Sequence, residues 1–239
     1  MPKDTLALLH TSPLHVPVFD ALRDEDHPGL WLRHFVDEDL LSRAREEGPE
    51  AVRDEVRAAL DRAVAEGARA VLCTCSTLGA VAESEGAGAG PAVPVLRLDR
   101  PMAAEAVAVG PRVVVVAALE STLGPTVALV EEEARRAGRP VTVRTLLADG
   151  AWARFESGDT AGYVGEVAAA VDTAGHADVI VLAQASMAPA ARLTTTPVPV
   201  LSSPRLGLAA AARAALGTDR TDDVDGTDSA GGMPSTARA

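Results

Sequence analysis

Short apolar runs alternate along the chain with longer segments in which apolar residues recur at helical spacing. The runs predict strands at residues 5–9, 30–36, 70–73, 93–98, 113–119, 141–147, 177–183 and 198–201. The apolar stripes between them predict a first helix that begins near Pro17. They predict further helices at residues 49–66, 78–82, 102–109, 126–137, 160–173 and 204–216. Because strands and helices alternate throughout, the pattern predicts an α/β fold with parallel sheets.

Two stretches interrupt this alternation. Residues 83–91 are rich in Gly and end in Pro, so they are expected to form a flexible loop. Residues 217–239 are rich in Asp, Thr, Gly and Ser and contain little that could be buried. This composition predicts a disordered tail.

The chain contains an internal repeat of about a hundred residues. Residues 68–78 and 177–187 align without a gap, and Cys75 then falls on Gln184. A Pro-containing strand and an Ala-rich helix follow each of the two segments. The repeat indicates that the two halves of the chain share one structural plan.

The repeat predicts two pseudo-symmetric lobes, each a mostly parallel four-stranded sheet flanked by helices. Residues 1–98 with 204–216 are assigned to the first lobe, and residues 99–203 to the second. Ligands of such sheets bind beyond the carboxyl ends of the strands. The active site is therefore expected in the cleft between the lobes, with Cys75 and Gln184 on opposite sides.

Polar loops at the predicted strand ends supply the candidate chemistry. Cys75 follows a buried strand and precedes a helix, where the helix dipole favours a thiolate. Small hydroxyl residues lie at equivalent places and can hold a carboxylate beside helix N-termini. These residues are Thr11, Ser12, Ser76, Thr77, Ser121, Thr122 and Ser186. The alternative for each is that it caps its own helix.

Composition narrows the class of protein further. The net charge of −12 argues against a nucleic acid or an anionic membrane as the partner. Two cysteines, Cys73 and Cys75, with no further cluster make a poor metal site, and no metal or cofactor is predicted. Without a long apolar run or a signal-peptide pattern, the chain is expected to be cytoplasmic with reduced thiols. Aromatic residues make up 3% of the chain, which disfavours a substrate with a large aryl group.

The twofold repeat and two motifs resemble the aspartate/glutamate racemase superfamily over about residues 5–216. The first motif is Cys75-Ser76-Thr77, and the second is residues 182–187 with Gln184. This superfamily includes glutamate, aspartate and hydantoin racemases, maleate isomerase and arylmalonate decarboxylase. The resemblance implies a cofactor-independent enzyme that acts beside the carboxylate of a small acid, and a homodimer is usual in the group.

The second motif departs from the superfamily because Gln184 stands where another cysteine is expected. An amide cannot take or give a proton at useful rates, but it can donate a hydrogen bond to a carboxylate or an enolate oxygen. With neighbouring Ala185 and Ser186, Gln184 is therefore assigned to substrate binding. Cys75 can then serve only one face of the substrate carbon.

Three enzymatic interpretations remain open at this point. Cys75 is the single acid/base and protonates an enediolate from one side, as in a decarboxylase of a malonate-like acid. Alternatively, Cys75 is a nucleophile that adds to a carbon–carbon double bond. In the third, His10 or His15, in the loop after the first strand, supplies the second base of a racemase, with His10 preferred. A non-catalytic carboxylate-binding protein is the alternative from another class.

Overall fold

Parallel strands form two four-stranded sheets in the computed structural model, which describes residues 5–88 and 93–217. The first sheet contains β1 (Thr5–His10), β2 (Trp31–Val36), β3 (Ala70–Cys73) and β4 (Val95–Arg97) in the order β2-β1-β3-β4. The second contains β5 (Arg112–Ala117), β6 (Thr142–Leu147), β7 (Val179–Leu182) and β8 (Val200–Ser202) in the order β6-β5-β7-β8. The shared strand order confirms the α/β fold with two pseudo-symmetric lobes.

Helices cover both sheets. They are α1 (His15–Asp26), α2 (Asp39–Glu47), α3 (Arg53–Ala65), α4 (Gly79–Ala87), α5 (Arg100–Val109), α6 (Leu123–Ala137), α7 (Ala151–Glu156), α8 (Thr160–Asp172) and α9 (Ser203–Leu216). Three 3-10 helices cover Pro49–Val52, Glu120–Thr122 and Ala185–Arg192. Within the described ranges, none of the helices has the length and apolar character needed to cross a membrane.

Helices α2 and α7 are absent from the sequence prediction. The acidic residues at 37–39 suggest a loop, although Leu40 and Ala44 give α2 a buried face. Pro49 was predicted to start a helix, but it starts a 3-10 turn, and α3 begins at Arg53. Helix α7 has only six residues, so it is too short for its period to be seen.

The loop predicted at residues 83–91 is helical over its first part. Glu85 in α4 is 3% exposed and pairs with Arg53 and Arg57 of α3. These ion pairs and the packing around them hold residues 83–87 in the helix despite the small side chains nearby. Residues 89–91 lie outside the described residues, and so does the predicted tail over residues 218–239.

Two helices are exchanged between the lobes. Helix α5 follows β4 of the first sheet but packs on the second, where Met102 contributes to the same core as Val181. Helix α9 follows β8 of the second sheet but packs on the first, where Leu208 contributes to the same core as Leu72. Each lobe is therefore completed by a helix that follows the last strand of the other.

The approach of α9 to the first sheet depends on Gly207. A Cβ atom at this position would lie 2.3 Å from the carbonyl oxygen of Leu98, at the end of β4. Real Cβ atoms do not approach a backbone oxygen so closely, so a larger residue forces the helix away from the sheet.

We expect Gly207→Ala to lower the free energy of unfolding by about 1–3 kcal/mol, the usual cost of overpacking. The matched control is Gly165→Ala in α8, where nothing lies within 4 Å of the added Cβ. Since alanine favours a helix over glycine, the control should be neutral or stabilising by about 0.5–1 kcal/mol. Urea denaturation measures both, and equal midpoints for the two variants would contradict the close approach.

Candidate active site

A cavity of about 300 Å³ lies between the two lobes. Thr11, Cys75, Leu119 and Gln184 line it, and they come shortly after β1, β3, β5 and β7 respectively. The carboxyl ends of the four central strands therefore meet at one place, as the parallel sheets predict. Its size is at the lower end of the range for ligand pockets, which suits a small molecule.

Nearly all of the predicted site residues border this cavity. The predicted residues that line it are Thr11, Ser12, Cys75, Ser76, Thr77, Thr122, Gln184, Ala185 and Ser186. His10 and Ser121 do not belong to the lining. The structure thus brings both repeated motifs to one site, while the roles of the individual residues stay predictions.

His10 lies beneath the site rather than in it. Its side chain is 0% exposed, and its Nδ1 atom lies 2.8 Å from the hydroxyl oxygen of Thr74. Burial, with the nearby rings of His15 and His34, lowers the pKa of His10 to about 3. This position conflicts with the expectation that His10 acts as a base on the substrate.

His15 reaches the cavity that His10 was predicted to reach. It lies at the start of α1, its Nδ1 atom is buried without a hydrogen-bond partner in the described part of the chain, and it lines the cavity. Burial lowers the pKa of His15 to about 4, so its ring is neutral at pH 7. The sequence offered both histidines of this loop, and the turn at residues 12–15 decides which one faces the ligand.

Cys75 is surrounded by hydrogen-bond donors but is also buried. Its exposure is 8%. Burial raises the pKa of the Cys75 thiol above its usual range, while hydrogen bonds from the Thr11 hydroxyl and the backbone N–H groups of Leu78 and Thr77 act in the opposite direction. The donors expected at the helix start are present, yet burial outweighs them, and the thiol keeps its proton at neutral pH.

Gln184 presents its amide nitrogen as a free donor. Its Oε1 atom accepts hydrogen bonds from the backbone N–H of Ala118 at 2.7 Å and of Leu119 at 3.4 Å. An N–H can only donate, so these contacts fix which end of the amide is oxygen. The Nε2 atom is buried, has no partner among the described residues and belongs to a residue that lines the cavity.

The predicted hydroxyl groups divide into engaged and free ones. The Ser76 hydroxyl donates to the carbonyl oxygen of Ala183 at 2.7 Å, so it joins the loops of the two lobes. Thr122 donates to the Leu119 carbonyl within its own turn. The Thr77 hydroxyl is buried and unpartnered in the described chain, so it is available to a ligand.

The last two predicted hydroxyl residues, Ser186 and Ser121, lie in the second lobe. Ser186 lies 2.8 Å from the hydroxyl of Tyr163, and burial raises the pKa of Tyr163 to about 12. Ser121 sits in the 3-10 helix before α6, where its hydroxyl is buried and has no partner within the described ranges. Ser121 is not among the residues that line the cavity, contrary to its predicted place in the site.

The unpredicted helices α2 and α7 supply the remaining wall of the cavity. Arg45 comes from α2 in the first lobe, and Trp152, Phe155 and Glu156 come from α7 in the second. Trp152 and Phe155 stack with ring centroids 4.9 Å apart. The low aromatic content of the chain thus does not keep a pair of stacked rings out of the site, because composition says nothing about where those residues cluster.

The mouth of the cavity carries one contact between the lobes. Arg45 Nη1 lies 3.4 Å from Glu156 Oε1, which also accepts a hydrogen bond from Trp152 Nε1 at 2.6 Å. Among the described lining residues, Arg45 is the one Arg or Lys side chain. Residues 5–88 and 93–217 contain no group of three or more His, Cys, Asp or Glu side chains arranged to hold a metal ion.

Comparison with known proteins gives a family and a fold. A family model described as Asp/Glu/Hydantoin racemase matches residues 14–211. Picrophilus torridus aspartate racemase superimposes with a TM-score of 0.67 at 13% identity, covering 90% of this chain and 94% of that one. Glutamate racemase from Francisella tularensis, in complex with D-glutamate, gives 0.67 at 12% identity, with 94% and 86% covered. Arylmalonate decarboxylase gives 0.57 at 21% identity, with 89% and 93% covered. No curated protein matches the chain in sequence.

We expect Cys75 to remain a thiol through neutral pH and to ionise only above the usual range of a free cysteine, because burial raises its pKa. The ultraviolet absorbance of the thiolate, taken as the difference between the wild-type protein and Cys75→Ser across pH, measures this. A difference signal that is already complete near pH 7 would show that the surrounding donors outweigh burial.

Proposed function

The chain belongs to the Asp/Glu/hydantoin racemase family, and we propose that it is a cofactor-independent enzyme in which Cys75 protonates a carbanion beside the carboxylate of a small acid. The structural relatives include racemases and a decarboxylase. Of the two kinds of reaction, racemisation and decarboxylation, the geometry best supports decarboxylation, a carboxy-lyase reaction.

One observation carries the proposal: unpartnered donors belong to residues that line the same cavity as the thiol. Thr77 Oγ1 and Gln184 Nε2 are buried without partners in the described chain, and both residues line the cavity with Cys75. Buried polar atoms are normally hydrogen-bonded. The oxygens of a carboxylate or an enediolate accept hydrogen bonds and so satisfy both donors.

The protonation state of Cys75 favours giving a proton over taking one. A thiol whose pKa is raised by burial is an acid at rest, whereas abstraction of a proton needs the thiolate. A carboxy-lyase reaction starts without a base. The bond to one carboxylate breaks, carbon dioxide leaves, and the electron pair stays on the carbon as an enediolate. Cys75 then gives its proton to that carbon and becomes a thiolate, which a proton from solvent restores.

Gln184 makes the protonation one-sided. It holds the place at which the superfamily carries a second cysteine, and its amide cannot exchange a proton with carbon. Only the face of the enediolate that meets Cys75 receives a proton. The product is therefore expected as a single enantiomer.

The wall formed by α2 and α7 supports a substrate with an apolar substituent. The stacked rings of Trp152 and Phe155 provide a flat apolar surface, and Leu41 of α2 lines the same cavity. Arg45 and Glu156 bring charges to the same wall. The carboxylate end of the acid then lies near Thr77 and the rest of the molecule near α7.

Racemisation with His15 as the second base is the competing function. The free Nδ1 atom of His15 can accept a proton in the cavity. With a pKa of about 4, His15 is a weak base. Racemisation in one of its two directions also needs Cys75 as a thiolate. The competing reaction differs in its product, because it yields both enantiomers.

The proposal is tested by incubating the protein with substituted malonic acids and with amino acids in heavy water. We expect release of carbon dioxide from a malonic acid and one deuterium at the α-carbon of a single enantiomer. Cys75→Ser should lower the rate by about 10²–10⁴-fold, the usual contribution of a general acid. Cys73→Ala is the matched control, since Cys73 lies in β3 and does not line the cavity.

Two other outcomes would reject the proposal. Inversion of an amino acid with uptake of label at both enantiomers would show racemisation, and His15→Gln would then be expected to abolish it. If none of these acids turns over and they only raise the melting temperature, the protein is a carboxylate-binding protein.

We expect Gln184→Cys to add racemisation to the reaction, because it places a second thiol on the face that lacks an acid or base. The product of Gln184→Cys should lose its enantiomeric purity on prolonged incubation, as followed by chiral chromatography. Gln184→Ser, which is small but carries no thiol, is the control and should keep one enantiomer. An active Gln184→Cys protein whose product stays enantiomerically pure would contradict the assigned geometry.

A further inference from the structure

Tyr163 of α8 contacts two separate parts of the active site from behind. It is 1% exposed and does not belong to the lining of the cavity. Its hydroxyl oxygen lies 2.8 Å from that of Ser186, and its ring centroid lies 5.2 Å from that of Phe155. Ser186 and Phe155 both line the cavity. No step of the proposed reaction gives Tyr163 a role.

Burial fixes the direction of the hydrogen bond between the two hydroxyl groups. Each hydroxyl can donate one hydrogen and accept others. Among the described residues, Ser186 is the one hydrogen-bond partner of the Tyr163 hydroxyl. If Ser186 were the donor, the Tyr163 O–H would be buried without an acceptor, which is rare in folded proteins. Tyr163 therefore donates, and the hydroxyl hydrogen of Ser186 stays free.

The free hydrogen of Ser186 is available to a ligand in the cavity. Ser186 lies two residues after Gln184, in a turn closed by a hydrogen bond of 3.0 Å from the Met187 N–H to the Gln184 carbonyl oxygen. In the internal repeat Ser186 aligns with Thr77, whose hydroxyl is unpartnered in the described chain. Each lobe thus brings a hydroxyl donor to the cavity at the matching position, and in the second lobe Tyr163 orients it.

The ring of Tyr163 supports the aromatic wall of the cavity. The ring centroid of Phe155 lies 5.2 Å from that of Tyr163 and 4.9 Å from that of Trp152. Both rings of α7 pack against the core to which Tyr163 belongs. A helix of six residues is too short to be stable alone, so the position of α7 depends on the groups it packs against. Tyr163 thereby sets where the wall lies relative to Ser186.

We propose that Tyr163 is a positioning residue of the active site: its hydroxyl orients the Ser186 hydroxyl toward the carboxylate of the substrate, and its ring supports the wall that contacts the substituent. The inference rests on the proposed function in taking a small carboxylic acid as the ligand. Since Tyr163 does not line the cavity, it acts through Ser186 and Phe155. Changes at Tyr163 then separate into an effect of the hydroxyl, shared by all acids, and an effect of the ring, which depends on the substituent.

Binding of propionate and phenylacetate tests the hydroxyl. The first has a small substituent and the second a flat apolar one, and neither has a second carboxylate to lose. Dissociation constants are measured by NMR titration well below the melting temperature of each variant, so that unfolding does not contribute. We expect Tyr163→Phe, which keeps the ring, to weaken the binding of both acids by the same factor, about threefold to tenfold, because an oriented donor to a charged group is lost.

Thr173→Val is the matched control for the loss of a hydroxyl. Thr173 directly follows α8, and its hydroxyl donates to the Ala170 carbonyl oxygen at 2.7 Å. It does not line the cavity. Both dissociation constants should therefore stay at their wild-type values in Thr173→Val.

A double-mutant cycle shows whether the Tyr163 hydroxyl acts through Ser186. Ser186→Ala should weaken the binding of both acids at least as much as Tyr163→Phe does. The double variant should bind no more weakly than Ser186→Ala alone, since the donor that Tyr163 orients is already absent. Factors that multiply in the double variant would overturn the proposal, and so would wild-type dissociation constants in Tyr163→Phe.

Tyr163→Leu tests the ring, which it removes together with the hydroxyl. We expect it to weaken the binding of phenylacetate by about threefold more than that of propionate, because Phe155 loses an aromatic partner. Tyr163→Phe should keep the wild-type ratio of the two constants, so the role of the ring is also tested by a conservative variant. A changed ratio in Tyr163→Phe, or an unchanged one in folded Tyr163→Leu, would contradict the support of the wall.

These measurements do not depend on turnover. If the two acids bind with the expected pattern but no malonic acid is decarboxylated, the role of Tyr163 stands and the proposed reaction fails. If a malonic acid is decarboxylated and the variants bind both acids like the wild type, the reaction stands and Tyr163 is a core residue only. Absence of saturable binding of either acid to the wild-type protein would likewise reject the role given to Ser186 and Tyr163.

Discussion

The geometry of the site depends on one shared register. In each sheet a four-residue central strand pairs with its neighbour, β3 with β1 and β7 with β5, and the residue of interest follows two positions after the strand. This register places Cys75 and Gln184 at equivalent points of the two lobes. The hydrogen bond from Ser76 to the Ala183 carbonyl then holds the two loops together. A shift of either strand by one residue would turn the side chain away from the cavity.

The repeat distributes different chemistry over matching positions. In the first lobe the side chain after β1, Thr11, donates to the Cys75 sulfur. In the second lobe the residue at the matching place, Ala118, donates through its backbone N–H to the Gln184 oxygen. One lobe therefore prepares an acid, while the other fixes a neutral donor. The asymmetry of the proposed reaction follows from this difference.

The sequence predicted the parts of the structure that depend on period and repetition. The eight strands, their parallel arrangement and the meeting of Cys75 with Gln184 follow from apolar runs and from one ungapped alignment. Helices α2 and α7 could not be found in this way. Helix α7 is shorter than two turns, and α2 lies between acidic residues and a proline that resemble a loop. Trp152 and Arg45 belong to these helices, so the wall that faces the rest of the substrate was missed with them.

Burial explains why two chemical expectations changed. His10 ends β1 and His15 begins α1, and only the packing against Phe19 and His34 shows that His10 points inwards. Likewise, the donors around Cys75 were visible as a strand followed by a helix, but the depth of the thiol was not. Exposure depends on the whole fold, so no local pattern could supply it.

The exchange of α5 and α9 has a mechanical consequence. Each of these helices is covalently continuous with one lobe and packs into the core of the other. Rigid-body separation of the lobes would therefore expose apolar side chains of both cores. The two exchanged helices therefore oppose a hinge-like opening of the lobes. A ligand would instead enter between the side chains at the rim of the cavity. There the contact of Arg45 with Glu156, at 3.4 Å, is longer than the hydrogen bond of 2.6 Å that Trp152 donates to the same glutamate. The exchanged helices therefore resist separation of the lobes, and the side chains of Arg45 and Glu156 lie where a ligand would pass.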